Sequence, residues 1–274
     1  VANGGRARWE LSEAFVRRYF PIEEAEVPEP PEDFAERAKK YAGTFKFTRH
    51  NWSDLEKLMT LPSVIKVAPT KDNTLMTTGI LEDPWHWVEV EPNLFQQVDG
   101  GLTLAFMEDE NGNVSHLAIS LLPFMPAYRI AWYANPNFNY FLLVVGLLLC
   151  VTTLISAFRH RKERRVDPAN AKWAVRLAWI VSVLTLVFWI AVAVIASSAG
   201  EDLFSGFPPT LTAALMLPIL ISILTVGVVF FAVLVWKEGF WTRFRRIHYT
   251  LFAIFAVGLA WFYWFWNMLG PQYG

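Results

Sequence analysis

Two short patterns in this chain place side chains at spacings that would suit acyl transfer. Ser63-Val64-Ile65-Lys66 has the Ser-x-x-Lys spacing, in which a lysine or another base activates a serine for attack on an acyl group. Tyr133-Ala134-Asn135 has the Tyr-x-Asn spacing of a partner motif. However, Ser63 follows Pro62 and leads an apolar strand instead of starting a helix, and no Lys-Thr-Gly or His-x-Gly occurs. We therefore predict no catalytic residue and no enzyme activity for the chain as it stands.

Metal and cofactor sites are not predicted either. The five histidines do not share a spacing typical of metal ligands, and the single cysteine, Cys150, excludes an internal disulfide. His248 could ligate haem or a pigment magnesium, but it has no second helical histidine as a partner. Asp109-Glu110-Asn111-Gly112 lacks the later glutamate of a calcium loop and instead favours a hairpin turn.

Four long apolar stretches dominate the second half of the chain. They cover about 138–158, 177–196, 211–236 and 247–269. A helix of roughly 20 apolar residues spans a bilayer, so we predict four transmembrane helices. No Asp, Glu, Lys or Arg lies near the middle of any stretch, which favours an anchor or assembly bundle over a transporter.

The charges of the connecting loops predict an orientation. Bases crowd the first and third loops, whereas the second loop has Glu201 and Asp202 and no base. The positive-inside rule then places the N-terminal domain and the C-terminus outside the cytoplasm. The predicted topology determinants are Arg159, Arg161, Lys162, Arg164, Arg165, Arg243, Arg245 and Arg246.

The two halves of the chain carry opposite charge. Residues 1–135 hold 20 acidic and 13 basic side chains, whereas residues 136–274 hold 5 acidic and 11 basic ones. The balanced total predicts no nucleic-acid partner, and the split indicates that the halves meet different surroundings. We expect membrane lipids and other integral-membrane subunits as partners.

Aromatic residues end the fourth apolar stretch. Trp and Tyr favour the membrane interface because their rings are amphipathic. The cluster predicts either an anchor at the outer face or a contact surface for a partner or pigment. The candidate residues are Trp261, Tyr263, Trp264 and Trp266.

The first half predicts a small domain on a linker. Residues 1–31 read as an amphipathic helix, with Leu11, Phe15 and Tyr19 on one face, and an acidic Pro-rich linker. Residues 32–135 predict an extracytoplasmic β-rich domain, with a helix over Glu32–Tyr41 and a short helix through Leu61 capped by Ser53. The predicted strands are Val64–Ala68, Thr74–Ile80, Trp85–Glu91, Leu102–Phe106 and Val114–Ile119. The fold class is thus an α+β ectodomain, a small antiparallel sheet or partial barrel with short helices, followed by a four-helix transmembrane bundle over 136–274.

The order of several segments resembles the C-terminal region of membrane-anchored bacterial serine hydrolases of the class C β-lactamase and penicillin-binding-protein type. The matching segments are Ala14–Pro21, Tyr41–Phe45 with Arg49, Leu55–Leu58, Val88–Pro92, Leu94-Phe95, Leu104–Phe106 with Asp109–Gly112, and Trp266–Gly270. In that family, the resemblance implies, this region follows the hydrolase domain and forms a small β-rich domain and membrane helices. The family's catalytic serine, lysine and tyrosine lie upstream of every match, so no catalytic residue carries over. We expect the chain in the bacterial inner membrane, and the loop charges place its N-terminal domain and C-terminus on the periplasmic side.

Three functions remain open from the sequence. The first is a non-catalytic accessory or scaffold subunit that stabilises a larger membrane assembly, for example a photosynthetic or respiratory one. The second is the membrane-anchoring part of a β-lactamase-like serine hydrolase whose catalytic domain preceded Val1. The third is a ligand-binding or sensing ectodomain.

Overall fold

The chain divides into two compact units. The structure, a computed structural model, describes residues 29–80, 84–162, 167–199 and 209–270, together with residues 11, 14, 15, 18 and 19. One unit draws on Val1–Arg49 and Val64–Ile130, and the other on His50–Ser63 and Ala131–Gly274. The segment His50–Ser63, which the sequence analysis assigned to the β-rich domain, therefore groups with the long helices.

The first unit is a closed antiparallel β-barrel in which each strand pairs with its neighbours in chain order. The barrel closes because β1 pairs with both β2 and β8, placing Phe45 opposite Ile65 on one side and opposite Arg129 on the other. The strands are β1 (Gly43–Phe47), β2 (Ile65–Pro69), β3 (Leu75–Thr78), β4 (Trp85–Glu91), β5 (Leu94–Gln97), β6 (Thr103–Glu108), β7 (Val114–Ile119) and β8 (Ala127–Arg129).

Large apolar side chains fill the core of the barrel unit. The ring of Tyr41 contacts those of Phe95 and Phe106, with centroids 5.0 and 4.9 Å away. A one-turn helix, α1 (Phe34–Arg37), adds Phe34, whose ring packs at 5.7 Å from Phe95. Burial of these rings by the hydrophobic effect stabilises the unit. The predicted helix over Glu32–Tyr41 is present only as α1 and a 3₁₀ turn over Ala38–Lys40.

The predicted hairpin around Asn111-Gly112 is confirmed, with β6 and β7 paired on either side. Asp109 Oδ1 accepts hydrogen bonds from the backbone of Asn111 and Asn113, so this carboxylate shapes the turn. Gly112 takes a positive φ of 78°, which glycine adopts without strain. Glu108 pairs with Val114, so five residues form the turn, and a register shift between Met107 and Glu108 precedes it.

Within the described residues, the second unit is built on four helices that are long and apolar enough to cross a membrane. Each helix overlaps one predicted stretch: the first three extend beyond it at both ends, and the fourth begins at Arg243 and ends at Phe265, four residues before the predicted end. The helices are α2 (Pro136–Arg159), α3 (Ala169–Ala199), the short α4 (Pro209–Ala214) with α5 (Met216–Glu238), and α6 (Arg243–Phe265). The third span is interrupted at Leu215, three residues before Pro218, because a proline ring clashes with the preceding turn and removes a backbone donor.

Glycines allow the helices to approach closely. A Cβ on Gly146 of α2 would lie 3.0 Å from Leu259 of α6, and one on Gly258 would lie 2.6 Å from Leu142. The two helices therefore interdigitate, each leucine filling the space above the other helix's glycine. Two buried hydroxyl groups of the spans bond to their own helix: Ser182 Oγ donates to Ala178 O at 2.7 Å and Thr225 Oγ1 to Ile221 O at 2.8 Å.

Several sequence-based predictions lie outside the described residues. They include Arg164 and Arg165, the loop with Glu201 and Asp202, and the tail 271–274. Of the predicted N-terminal amphipathic helix, Leu11, Phe15 and Tyr19 are described; they are helical and exposed. The acidic linker before residue 29 is not among the described residues.

Candidate functional site

The start of α2 and the end of α6 lie side by side, and we call this the aromatic end of the bundle. Tyr133, just before α2, packs edge-on against Phe265 at 5.7 Å and against Trp261 at 6.1 Å. Trp261 and Phe265, one helical turn apart on α6, stack at 5.1 Å. The i and i+4 positions of a helix share a face, so the aromatic run of α6 presents these rings together.

A buried hydrogen bond joins the two helices at this end. Trp266 Nε1 donates to Asn139 Oδ1 at 2.9 Å, and neither residue is accessible to solvent beyond 1%. Asn139 Nδ2 in turn donates to Tyr133 O at 2.8 Å and to Asn135 O at 2.9 Å. The asparagine thus satisfies backbone carbonyls at the start of α2 and the indole at the end of α6 with one side chain.

The segment His50–Ser63 belongs to this end through Lys57. Lys57 Nζ donates to Phe265 O at 2.5 Å and lies 4.1 Å above the centre of the Phe265 ring. A cation at the last carbonyls of a helix is favoured by the helix dipole, and the aromatic face adds a cation–π attraction. Burial lowers the pKa of the Lys57 ammonium below its ordinary value.

A second contact fixes the same segment to the chain that follows α6. Asn267 Nδ2 donates to Trp52 O at 2.9 Å and to Asp54 O at 3.1 Å. Asn267 takes a positive φ of 55°, which asparagine tolerates better than most residues. The described residues of this segment place a 3₁₀ helix over Leu55–Thr60, and its cap is Asp54, whose side chain accepts from Glu56 N. The expected cap, Ser53, was therefore one residue off.

The four aromatic candidates have different surroundings. Tyr263 and Trp266 are buried in the bundle, Trp261 is half-buried, and Trp264 is 65% exposed. Trp264 is thus the candidate that presents most of its ring to lipid or a partner. Trp132 is 71% exposed and lies beside Phe138 of α2, so it adds a second accessible indole to the same end. Their role in an interface stays a prediction.

The predicted topology determinants that are described lie at the other end of the bundle, which we call the basic end. It comprises the end of α2, the start of α3, the end of α5 and the start of α6. Arg159, Arg161, Lys162 and Arg243 are exposed there, and Arg245 and Arg246 are half-buried. Antiparallel packing of successive helices brings these cations to one side of the unit, as the sequence analysis expected.

A polar cluster in the barrel unit holds α1 in place. Glu89 is 5% exposed; its carboxylate pairs with Arg37 and accepts from Tyr41 Oη at 3.3 Å. Tyr41 Oη also donates toward Asn93 Oδ1 at 3.0 Å. Burial and the adjacent Glu89 charge raise the pKa of the Tyr41 hydroxyl. This cluster satisfies a buried carboxylate with its neighbours and connects α1 to β4.

The acyl-transfer pattern is not placed in a catalytic setting. Ser63 is an exposed residue that follows a 3₁₀ helix and does not begin a helix, and Lys66 lies exposed on β2. Asn135 caps α2 by accepting from Asn137 N at 2.9 Å.

His248 Nε2, the atom that a haem or pigment metal would use, bonds with Thr152 Oγ1 at 2.9 Å. Among the residues that the structure describes, no three His, Cys, Asp or Glu side chains could hold one metal ion.

Comparisons with known proteins add no assignment. No family model matches the chain, and no curated protein and no solved structure matches it. The resemblance to the tail of serine hydrolases therefore stays a prediction.

The sequence analysis named Trp261 and Trp266 but missed three other residues of the aromatic end, Lys57, Asn139 and Asn267. Lys57 and Asn267 have no local pattern, since their partners lie about two hundred residues away in the chain. Asn139 did carry a signal, because an amide side chain in the first turn of an otherwise apolar span is costly unless it is bonded. That signal points to a buried hydrogen bond without naming Trp266 as the partner.

Proposed function

We propose that this protein is a non-catalytic accessory or scaffold subunit of a larger membrane assembly, held in the bacterial inner membrane with its barrel on the periplasmic side. Four helices of sufficient length and hydropathy support the membrane placement. The cations of the basic end support the orientation, since Lys and Arg concentrate on the cytoplasmic side of spanning helices.

The filled barrel is the observation that carries the non-catalytic part of the proposal. Trp87, Phe95 and Leu104 are completely buried, and the Trp87 indole is bonded to Thr77 Oγ1 at 2.8 Å. Ligand-binding barrels enclose a cavity of several hundred Å³, whereas this core is occupied by its own aromatic side chains. The barrel therefore offers its surface for contact, which favours a protein partner over a ligand-binding or sensing ectodomain.

The aromatic end supports a partner within the membrane. Trp264 and Trp132 expose most of their indoles on a unit whose neighbouring aromatic residues are fixed by ring packing and hydrogen bonds. Exposed tryptophans on a rigid scaffold are typical of interaction hot spots, and also of lipid-facing anchors. The two roles make different predictions for assembly.

Native gels and mass spectrometry of gently solubilised membranes test the proposal. We expect the chain to migrate with a stoichiometric partner subunit, and Trp264→Ala to reduce the amount of partner recovered. Val233→Ala, which alters an exposed residue of α5, is the matched control and should leave recovery unchanged. A chain that always migrates alone would contradict the scaffold role.

Orientation is tested separately by cysteine labelling in a Cys150→Ala background. Asp72→Cys, in an exposed turn of the barrel, should react with a membrane-impermeant maleimide on intact spheroplasts. Arg161→Cys at the basic end should react only after the membrane is permeabilised. The reverse pattern would overturn the proposed orientation.

A further inference from the structure

The basic end of the bundle carries cations that lack anionic partners. Arg243 and Arg245 lie in the first turn of α6, and Lys237 lies in the last turn of α5. Within the residues that the structure describes, none of these three forms an ion pair. The described salt bridges Arg37–Asp33, Arg37–Glu89 and Lys40–Glu108 lie in the barrel unit.

Acidic residues of the basic end are engaged by neutral donors. Asp167 Oδ2 accepts from the Trp241 indole at 3.4 Å. The two carboxylate oxygens of Glu238 accept from Asn170 Nδ2 at 3.0 and 3.2 Å. Among the described residues, these two carboxylates therefore do not pair with the arginines of α6.

Aromatic rings hold several of the arginines. The guanidinium of Arg245 lies 4.9 Å from the centre of the Trp241 ring, and that of Arg176 lies 5.2 Å from Trp173. Arg161 lies 4.9 Å from the ring of Phe158 at the end of α2. Stacking occupies the face of a guanidinium and leaves its edge N–H groups available, which is the geometry that binds phosphate oxygens in pairs.

Two of these rings also point to lipid as the source of the phosphate. Phe158 is 69% exposed and Trp173 is 57% exposed, on helices whose length and hydropathy suit a bilayer. Each arginine–aromatic pair therefore combines a fixed cation with an accessible apolar ring. A phospholipid matches this arrangement, because its phosphate and its glycerol and acyl groups meet at the same depth.

The start of α6 adds a second favourable feature. Its cap residue, Thr242, makes no side-chain capping hydrogen bond, and its first turn has no acidic residue. The first amides of a helix carry partial positive charge and lack partners within the helix, so an anion there would be stabilised together with the arginine pairs.

We propose that the basic end binds anionic phospholipid headgroups, with Arg243 and Arg245 as the main phosphate contacts. This inference rests on the membrane placement in the proposed function, but not on the identity of any partner subunit. The site would tie the bundle to anionic lipid of the adjacent leaflet.

Lipid titration of the delipidated full chain, followed by native mass spectrometry, tests the inference. Dioleoylphosphatidylglycerol should bind the wild type about tenfold more tightly than dioleoylphosphatidylcholine, since each basic residue near an anionic surface contributes severalfold to binding. The variant Arg243→Gln/Arg245→Gln should lose most of this preference. Arg243→Lys/Arg245→Lys keeps the charge and should retain part of the preference for phosphatidylglycerol. Comparison of the two double variants therefore separates a loss of lipid binding from a loss of fold.

Matched controls make each outcome decisive. Lys39→Gln/Lys71→Gln removes the same charge from two exposed residues of the barrel unit and should leave the preference unchanged. The inference would be overturned if the wild type bound the two lipids equally. It would also be overturned if the two double glutamine variants lost the preference for phosphatidylglycerol to the same extent. Competition by glycerol 3-phosphate at the same concentration as phosphatidylglycerol would show a soluble-anion site and would overturn the lipid assignment. The measurement is made on the purified chain, so absence of a partner subunit would contradict the proposed function and leave this result unaffected.

Discussion

The indole of Trp266 and the amide of Asn139 are bonded at 2.9 Å although the chain places them 127 residues apart. They join the first and last of the four long helices in a fully buried position. A polar contact in such surroundings is costly to break, because each partner would then be left unsatisfied away from water.

Replacing Trp266 by phenylalanine should therefore destabilise the bundle. The variant leaves Asn139 Oδ1 without its donor and opens a small cavity, and we expect a loss of about 2–4 kcal/mol. Thermal unfolding in detergent, followed by circular dichroism, measures the effect. Trp264→Phe is the control, because the Trp264 indole is exposed. The midpoint of thermal unfolding of this variant should stay within a few degrees of the wild-type value. Equal shifts for the two variants would contradict the buried bond.

Lys57 gives the bundle unit a predicted dependence on pH. Burial lowers the pKa of its ammonium, so the unfolded segment binds more protons than the folded one between the lowered value and the ordinary value of 10.5. The folding stability of the bundle unit should therefore rise with pH across that interval, because burial disfavours the charged ammonium. Denaturation at pH 8, 9 and 10 measures the slope, and ¹³C-dimethyl labelling of lysines reports the pKa directly.

Lys57→Met is the comparison for this titration. Methionine retains an apolar stem but neither donates to Phe265 O nor carries charge, so the pH-dependent slope should disappear. The variant should also lose about 1 kcal/mol near neutral pH, the typical value of a capping hydrogen bond with a cation–π contact. A slope that persists in Lys57→Met would assign it to another group.

Gly79 is predicted to be indispensable for the barrel. It has a φ of +90°, and a Cβ at this position would lie 2.1 Å from the carbonyl oxygen of Val64. Gly79→Ala therefore combines backbone strain with a backbone clash, and we expect a loss of more than about 3 kcal/mol. Gly101→Ala is the control, since nothing lies within 4 Å of the added Cβ. Hydrogen exchange of the amides in β2 and β3 distinguishes the two variants.

The pair of Arg37 and Glu89 should stabilise the packing of α1 against β4. In Arg37→Met, the carboxylate of Glu89 is 5% exposed and keeps only Tyr41 as a donor. We expect the free energy of unfolding to fall by about 2 kcal/mol. This is less than for a fully buried pair, because Arg37 is partly exposed. Lys40→Met removes the more exposed pair with Glu108 and should cost less than Arg37→Met, because solvent screens an exposed pair.

Hydrogen exchange in α1 and β4 measures both effects. The double variant Arg37→Met/Glu89→Gln removes the unpaired charge and should recover part of the stability that Arg37→Met loses. Equal protection in Arg37→Met and Lys40→Met would show that the buried carboxylate is not held mainly by Arg37.

Local pattern predicted the elements with strong periodicity. Trp85–Glu91 and Val114–Ile119 have the predicted boundaries, because apolar and polar residues alternate there and turns bound both strands. The four apolar helices follow from composition and length alone. β8 has three residues and β5 has four, which is too few for an alternation of apolar and polar residues to predict a strand. A turn before β5 was nevertheless signalled by Pro92-Asn93, and Asn93 has a φ of +67°.

Relationships between distant residues could not be predicted in this way. Closure of the sheet depends on β1 pairing with β8, across about eighty residues, and each strand is equally compatible with an open sheet. Assignment of His50–Ser63 to the bundle depends on Lys57 and Asn267, whose partners are set by tertiary packing. The sequence therefore predicted which surfaces are apolar and which ends are charged, but not which side chains would meet.

The bond between Lys57 and Phe265 also has a temporal consequence. The two residues are 208 positions apart, so at about 5–20 residues per second the ribosome completes the second some 10–40 s after the first. Throughout that interval the segment His50–Ser63 has emerged without the carbonyl, ring and asparagine that it will contact. The segment can dock only after the last helix has been made. In a chain that stops short of α6, the Lys57 ammonium would lack its carbonyl acceptor and the backbone of Trp52 would lack its asparagine donor, so the undocked segment would be accessible to the cell's quality-control machinery.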